Sequence, residues 1–274
     1  MNPVRAIPLA GRHDAFVTAA PFPHVVVENF IDLESCRKIA AEYPTFDNAR
    51  ALGFEFNAVN ERKKIQITDQ MKFPPAVKAL SDFLASPAFL RDLSALTGIP
   101  NLLADEALFG GGMHMTGPHG RLDVHVDFNR GQGGLYRRLN LLLYLNPEWD
   151  DAWGGQIELW DPQVKRCAVS LTPALGRCLV FETSQISFHG VAPLKCPPDY
   201  ARRSFAAYYY TKEPPPGGAE AVMHGTLFRA RPDETLRRYV LMPAETVTRT
   251  VTGGVMHALR RARFHAGRVL RALR

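Results

Sequence analysis

RLDVHVDFNR, residues 121–130, alternates between apolar and polar side chains along most of its length. Successive side chains of an extended strand point to opposite faces, so this stretch predicts a strand with two unlike faces. The apolar face carries four side chains: Leu122, Val124, Val126 and Phe128. The other face presents two carboxylates and an imidazole in a row: Asp123, His125 and Asp127. Thr, Lys or Ser would suit a solvent-facing strand equally well, so this polar face needs an explanation.

His125 and Asp127 stand two residues apart and therefore point the same way, offering one imidazole nitrogen and one carboxylate oxygen to a common point. A His-x-Asp pair is a weak signal by itself, because such tripeptides arise readily by chance. Taken alone, these ten residues favour a structural interpretation, a buried histidine beside a solvated aspartate.

Two later runs change that interpretation. SQISFHGVAP (184–193) carries His189, and ARRSFAAYYYT (201–211) places Arg202 and Ser204 on one face of a strand. Two imidazoles and one carboxylate form the facial triad of non-haem Fe(II) oxygenases, in which the remaining metal positions stay open. Zinc would more often be tetrahedral, with Cys or a third His.

The pattern around these runs predicts a fold that is mainly β with flanking helices. PFPHVVVENF (21–30) is typical of a strand, residues 31–44 of an amphipathic helix that ends at Pro44, and residues 76–98 of two helices broken at Pro87. From about residue 101, short β-branched and aromatic runs follow one another without helices. They lie at 121–129, 139–146, 155–160, 166–171, 176–182, 186–194 and 202–211. Such strands indicate an antiparallel sandwich, barrel or jelly roll, with the earlier helices covering one sheet.

The amino-acid composition indicates in which compartment the protein works and which partners it binds. The chain has 274 residues, of which 46% are hydrophobic, and four cysteines without a C-x-x-C pair. This usage favours reduced thiols and a cytoplasmic location, and we find neither a signal-peptide core nor about 18 consecutive apolar residues. The net charge is +6, but residues 245–274 hold seven arginines against one glutamate, so residues 1–244 are neutral in sum. We therefore expect no nucleic-acid partner for the catalytic region.

Several motifs occur in a fixed order: HVD, YLNPEW, GGQIELWD, FHGVAPL and RRSFAAYYYT, preceded by PFPHVVVENFI. In this order they resemble the prolyl 4-hydroxylase-like branch of the Fe(II)/2-oxoglutarate dioxygenases, over roughly residues 20–231. The resemblance implies a double-stranded β-helix (jelly roll) with helices behind its larger sheet. It also implies Fe(II), 2-oxoglutarate and O2 as cofactors, with ascorbate as a candidate reductant.

By position, the resemblance implies that His125, Asp127 and His189 hold the iron. It implies that Arg202 pairs with the distal carboxylate of 2-oxoglutarate, that Tyr144 hydrogen-bonds the same carboxylate, and that Ser204 belongs to the cosubstrate site. A planar guanidinium suits a carboxylate because it can donate two parallel hydrogen bonds. Arg203 is the rival to Arg202, and strand alternation places it on the opposite face.

The chain departs from the family pattern ahead of His125. Met115 stands where several prolyl hydroxylases have a tyrosine, about ten residues before the first metal histidine. His114, His119 and Arg130 lie near the expected mouth of the site and could touch substrate, but we interpret them as surface polar residues. Asp123 is either a carboxylate that orients a metal ligand or an exposed strand-end carboxylate.

These inferences define an enzyme that hydroxylates an unactivated C–H bond of a peptide or small-molecule substrate: a prolyl or amino-acid residue, or a small biosynthetic metabolite. The alternatives are a jelly-roll ligand-binding module and a cupin-like metalloenzyme without 2-oxoglutarate turnover. We expect a dioxygenase domain over residues 1–217, with its jelly-roll core starting near 101, and an extension over 218–244 that packs on it. Residues 245–274 are expected to form a basic amphipathic helix, which could lie on a membrane surface, bind a nucleic acid, pack in a dimer or remain solvated. The oligomeric state is left open.

Overall fold

The computed structural model describes residues 9–216 and 223–242. The described chain runs through five α-helices: α1 (His13–Val17), α2 (Leu33–Ala41), α3 (Phe46–Leu52), α4 (Pro75–Leu84) and α5 (Pro87–Thr97). Its first six strands are β1 (His24–Val27), β2 (Phe54–Asn57), β3 (Glu61–Ile67), β4 (Leu103–Ala104), β5 (Gly112–Val126) and β6 (Tyr136–Tyr144). The remaining strands are β7 (Ile157–Trp160), β8 (Cys167–Leu171), β9 (Cys178–Glu182), β10 (His189–Val191), β11 (Arg202–Thr211) and β12 (Leu227–Arg229).

Local chemistry sets the helix ends. Asp32 caps α2, because its side chain accepts a hydrogen bond from the Ser35 amide at 2.8 Å. Pro87 occupies the first turn of α5, where its missing N–H has no cost, and the Ser86 hydroxyl caps that turn. The predicted break at Pro87 is thus confirmed.

The strands form one curled antiparallel sheet in the order β1-β9-β6-β11-β5-β10-β7-β8. The long strand β5 serves both halves of this sheet. Residues 112–116 pair with β11, whereas the end of the strand pairs with β10. Between these two stretches the chain bends at 117–120, where His119 adopts a positive φ of 61°. The sheet therefore curls around an interior, and β5 contributes to both of its walls.

Period-two alternation then separates the two faces of the larger wall. Odd-numbered side chains of β5, β6 and β11 pack against the helices in the main core, among them Met113, Leu141 and Phe205. Even-numbered side chains in the parts of these strands that pair together, such as His114, Asn140 and Ser204, face the interior. The predicted class, mainly β with flanking helices, is confirmed, and the curled antiparallel sheet is a jelly roll.

Four features escaped sequence prediction. The hairpin β2–β3 was not expected, because ERKKIQI (61–67), the sequence of β3, is largely polar. Helix α3 was not expected either. Strand β5 begins at Gly112 rather than at 121, since the bend at 117–120 interrupts its pattern. Conversely, the run 186–194 yields only the three residues of β10.

The first compact unit, Met1–Arg229, extends beyond the expected end of the dioxygenase domain at residue 217. A second unit begins at Ala230, and its described part, 230–242, contains a helical turn at Arg237–Leu241. The expected basic helix at 245–274 lies outside the described residues. Within 9–216 and 223–242, no helix has the length and apolarity needed to cross a membrane. Cys36, Cys178 and Cys196 are buried free thiols.

Candidate active site

Strand pairing brings the three predicted metal ligands together. His125 on β5 is the direct cross-strand partner of His189 on β10, and Asp127 directly follows β5. One potential ligand atom from each of the three buried side chains lies within 4.8 Å of the other two. The Nε2 atoms of His125 and His189 each lie 3.5 Å from an oxygen of Asp127. Residues 64 positions apart in the sequence thus converge on one point.

Backbone carbonyls orient both imidazoles. The Nδ1 of His125 is 2.8 Å from the carbonyl oxygen of Asp123, and the Nδ1 of His189 is 3.0 Å from that of Ser187. A carbonyl can only accept, so each Nδ1 carries the proton and each Nε2 lone pair is free for a metal. Burial, together with the neighbouring His125, lowers the pKa of His189 to about 3, which keeps its ring neutral. Neutral imidazoles are the form that a metal ion requires.

Asp127 is fixed through one of its two oxygens. Its Oδ2 accepts hydrogen bonds from Asn140 Nδ2 at 2.7 Å and from Arg137 Nη2 at 3.0 Å. Burial would raise the pKa of this carboxyl, but the charge of Arg137 and the two imidazoles hold it well below its usual value. The aspartate is therefore ionised, and its Oδ1 remains available as the third ligand atom. Two neutral nitrogens and one anionic oxygen fit Fe(II).

Arg137 is a functional residue that the sequence did not reveal. Its guanidinium lies between two rings, 3.6 Å from the ring centre of Tyr208 and 4.4 Å from that of Phe128. Burial alone would lower its pKa, but the ion pair with Asp127 outweighs that effect and raises it. Asn140 could have been found by alternation back from Tyr144, which shares its face. Arg137 could not, because the pairing of β6 with β11 shifts register between Leu139 and Arg137.

The triad opens into a cavity of about 320 Å³, which Arg202 and Ser204 also line. Arg202 stands in register with Thr116 on β5, and Ser204 with His114. The Arg202 side chain is buried, and its Nε donates to the carbonyl oxygen of Gly155 at 2.7 Å. Burial lowers the pKa of this guanidinium, while Tyr144 partly opposes the shift. A fixed cation thus shares one cavity with the metal ligands.

Tyr144 lies behind this cavity wall rather than in it. Its fully buried ring is the neighbour of Arg202, with the guanidinium carbon 4.9 Å from the ring centre. Among residues 9–216 and 223–242, its hydroxyl has no hydrogen-bond partner. Burial raises the pKa of Tyr144 to about 12, so the hydroxyl keeps its proton and can donate it. An orphaned donor beside a buried cation fits a carboxylate ligand such as that of 2-oxoglutarate.

Arg203 points away from the cavity, as alternation predicts. Its Nη1 donates to the carbonyl oxygen of Ala40 on α2 at 3.2 Å, and its amide donates to Asn146. The two adjacent arginines thus lie on opposite sides of β11, and only Arg202 faces the triad.

The interpretation of His114 as a surface residue is wrong. Its side chain is buried and lines the cavity, with Nε2 donating to the carbonyl oxygen of Gly110 at 3.0 Å. Burial and nearby Lys64 lower the pKa of His114 to about 3. Met115, which the resemblance aligned with a tyrosine of the family, does not line the cavity. It packs in the main core against the helices. His119 is exposed at that bend, as expected.

The other two polar residues noted near the site have structural partners. Arg130 stacks on Tyr136, with its guanidinium carbon 3.6 Å from the ring centre. Asp123 is fully buried rather than exposed, and its carboxylate pairs with Arg121 at 2.6 Å. It orients His125 through its backbone carbonyl.

Residues 111–210 match the family model of the 2OG-Fe(II) oxygenase superfamily. This segment, hereafter the matched segment, includes the triad, Arg202, Tyr144 and Ser204. Over residues 111–210 the chain is therefore similar to the 2OG-Fe(II) oxygenases, a superfamily that uses Fe(II), 2-oxoglutarate and O2, and its buried His-Asp-His triad fits the iron. A binding module without turnover is not favoured.

Among curated proteins, the chain is similar to the prolyl 3-hydroxylase OGFOD1 of Mus musculus, with 35% identity over 185 residues. This alignment covers 63% of the chain but only 30% of that relative's length. Two solved structures share the fold. A prolyl-4-hydroxylase of Pseudomonas putida superimposes with a TM-score of 0.51 at 20% identity, covering 75% of this chain and 100% of that chain. A prolyl hydroxylase from Trichoplax adhaerens, in complex with a hypoxia inducible factor peptide fragment, gives a TM-score of 0.53 at 19% identity, covering 74% and 89%.

Proposed function

We propose that the chain hydroxylates an unactivated C–H bond of a prolyl residue in a peptide, in a reaction that consumes 2-oxoglutarate. The single observation that carries this proposal is the cavity itself, in which a His-Asp-His triad with open ligand atoms faces the buried cation of Arg202. The three similar proteins named above are prolyl hydroxylases, which supports the choice of substrate. A free amino acid or a small metabolite is the second candidate, because either would fit within a cavity of about 320 Å³.

Each residue has a defined task. His125, Asp127 and His189 would hold Fe(II) from one side and leave the cavity side open for ligands. Arg202, with the hydroxyl of Tyr144 behind it, would bind the distal carboxylate of 2-oxoglutarate and thereby set its orientation. When bound, Fe(II) would allow O2 to act as the oxidant, with one oxygen atom inserted into the C–H bond and the other incorporated into succinate as 2-oxoglutarate is oxidised and loses CO2. The apolar side chains of Phe128 and Leu142 would exclude water beside the target C–H bond.

The direct test is a substrate screen with purified protein, Fe(II), 2-oxoglutarate and ascorbate. Proline-containing peptides, free proline and other amino acids are supplied in turn, and both succinate and the mass of one added oxygen atom are measured. We expect peptide-dependent succinate together with a hydroxyproline product, and neither in Asp127→Ala. Coupled oxidation of free amino acids but not of peptides would favour the second candidate. No substrate-dependent succinate with any of them would contradict the proposal.

A further inference from the structure

A short strand outside the matched segment lies against the metal centre. Strand β12 pairs antiparallel with the end of β5, with Leu227 opposite Val126 and Phe228 opposite His125. The matched segment ends at residue 210, so β12 lies outside the part of the chain that matches the family model. It covers the edge of β5 at the point where β5 delivers a metal ligand.

Phe228 is the residue of this strand that contacts the triad. Directly opposite residues of an antiparallel pair project to the same face, so Phe228 lies on the cavity side with His125. Their ring centres are 5.3 Å apart with an interplanar angle of 37°. Thr226, two residues earlier, lines the same cavity, as the period of two requires.

The two metal histidines are supported in different ways. His189 has the fully buried ring of Phe181 against it, with ring centres 4.7 Å apart, and Phe181 lies on β9, which is paired on both sides. His125 has the half-buried ring of Phe228, which stands on a three-residue strand at the sheet edge. The two imidazoles also contact each other, with ring centres 4.2 Å apart. Each imidazole is thus held by a carbonyl, by its partner imidazole and by one phenylalanine.

Contacts at both ends anchor β12. Before the strand, the His224 amide donates to Asn129 Oδ1 at 3.0 Å. At its end, the Arg229 guanidinium stacks 4.4 Å from the ring centre of Phe188 and donates to the carbonyl oxygen of Pro162. Leu227, by contrast, is 51% exposed, because it points away from the cavity. The strand is therefore placed by contacts that do not involve Phe228.

We propose that β12 is a structural part of the metal centre and that Phe228 is a positioning residue, which fixes the His125 imidazole and keeps water from its outer side. The carbonyl of Asp123 restrains only one atom of this ring, so a packed aromatic neighbour is needed to hold the ring plane. This inference rests on the proposed metal centre but not on the substrate or on turnover.

The test measures metal binding in the full-length chain without 2-oxoglutarate. We expect Phe228→Ala to weaken Fe(II) binding about tenfold, the lower end of the effect typical of groups that orient metal ligands. Release of Fe(II) to a chelator should be faster, and the visible absorption of the Co(II)-loaded protein should change, since the ligand geometry is altered. Phe228→Tyr keeps the ring and should restore both properties, whereas Phe228→Leu should be intermediate.

Leu227→Ala is the matched control, because it alters the same strand on its solvent face, and it should bind Fe(II) as the wild type does. Thermal unfolding shows whether each variant is folded. Should Phe228→Ala not fold, the comparison of Phe228→Leu with Phe228→Tyr decides. Wild-type metal affinity and Co(II) absorption in Phe228→Leu and Phe228→Ala would overturn the inference, as would equal losses in Leu227→Ala and Phe228→Ala. A wild-type chain that binds no Fe(II) would contradict the metal centre and this inference together.

Discussion

The polar groups at the two ends of the cavity differ in how many of them already have hydrogen-bond partners within the protein. At the triad end, the chain itself supplies a partner for each Nδ1 and for the Oδ2 of Asp127, so the ligand atoms point at one place before any metal arrives. At the Arg202 end, a buried cation has the carbonyl of Gly155 as a partner, and the hydroxyl of Tyr144 has none. A buried donor without a partner costs about 1–3 kcal/mol, which a bound carboxylate can offset. The triad end is therefore preorganised, whereas the Arg202 end is completed by its ligand.

Removing a ligand atom at the preorganised end should have the largest effect. His125→Ala leaves two ligand side chains, so we expect turnover to be lost and Fe(II) binding to be strongly weakened, with the fold retained. Fe(II) binding by equilibrium dialysis and succinate formation measure the two effects. His119→Ala, at the exposed bend, is the control and should change neither. Full turnover by His125→Ala would refute the triad.

At the other end, the neighbouring arginines separate a ligand role from a structural one. Arg202→Ala removes the cation that faces the cosubstrate carboxylate, and truncating one partner of such a buried pair costs about 2–5 kcal/mol. The 2-oxoglutarate concentration needed for half-maximal succinate formation should therefore rise about 30-fold to several thousand-fold. Arg203→Ala, whose side chain contacts α2, should change it little. If Arg203→Ala were the defective variant, the assignment of the two faces of β11 would be wrong.

The support of Asp127 can be tested without touching a metal ligand. Asn140→Ala removes the shorter of the two hydrogen bonds to Oδ2, so we expect Fe(II) binding to weaken about 10- to 100-fold. Asn140→Asp should be at least as severe, because it places a second carboxylate against the first. Isothermal titration with Fe(II) measures the effect. Unchanged Fe(II) affinity in both variants would mean that Arg137 alone suffices.

Tyr144→Phe should give the smallest effect, with opposite signs for stability and for ligand binding. Without ligand, the substitution removes an unpartnered buried hydroxyl, so the thermal unfolding temperature should stay the same or rise. With 2-oxoglutarate, one hydrogen bond of about 0.5–1.5 kcal/mol is lost, so affinity should fall roughly 2- to 12-fold. A loss of stability in the ligand-free variant would show that the hydroxyl already has a partner.

Sequence reasoning found the residues whose placement depends on period two alone. His125 and Asp127 share a face, as do Arg202 and Ser204, and no knowledge of the rest of the fold is needed for either inference. The run 184–193 offers His189 as the second imidazole of a facial triad, but its pairing with His125 cannot be deduced from the three residues of β10.

Sequence reasoning missed site residues where a strand bends or shifts its pairing register. Arg137 reaches Asp127 through a register shift in β6, and His114 enters the cavity because β5 bends after it. Phe228 lies on a three-residue strand that carries no motif, so its partner could not be deduced from local pattern. Register shifts and long-range edge pairings are set by tertiary packing, which local alternation does not encode.

The most direct test of the two-ended cavity is an anaerobic titration of 2-oxoglutarate into the Fe(II)-loaded wild type, Arg202→Ala and Arg203→Ala, followed by the metal-to-ligand absorption band. We predict a saturable band in the wild type and in Arg203→Ala at similar concentrations. In Arg202→Ala, the band should appear only at far higher 2-oxoglutarate concentrations, while Fe(II) binding without 2-oxoglutarate remains as in the wild type. Equal titrations in all three proteins would contradict the role of Arg202, and the absence of any band in the Fe(II)-loaded wild type would contradict 2-oxoglutarate binding at this iron centre.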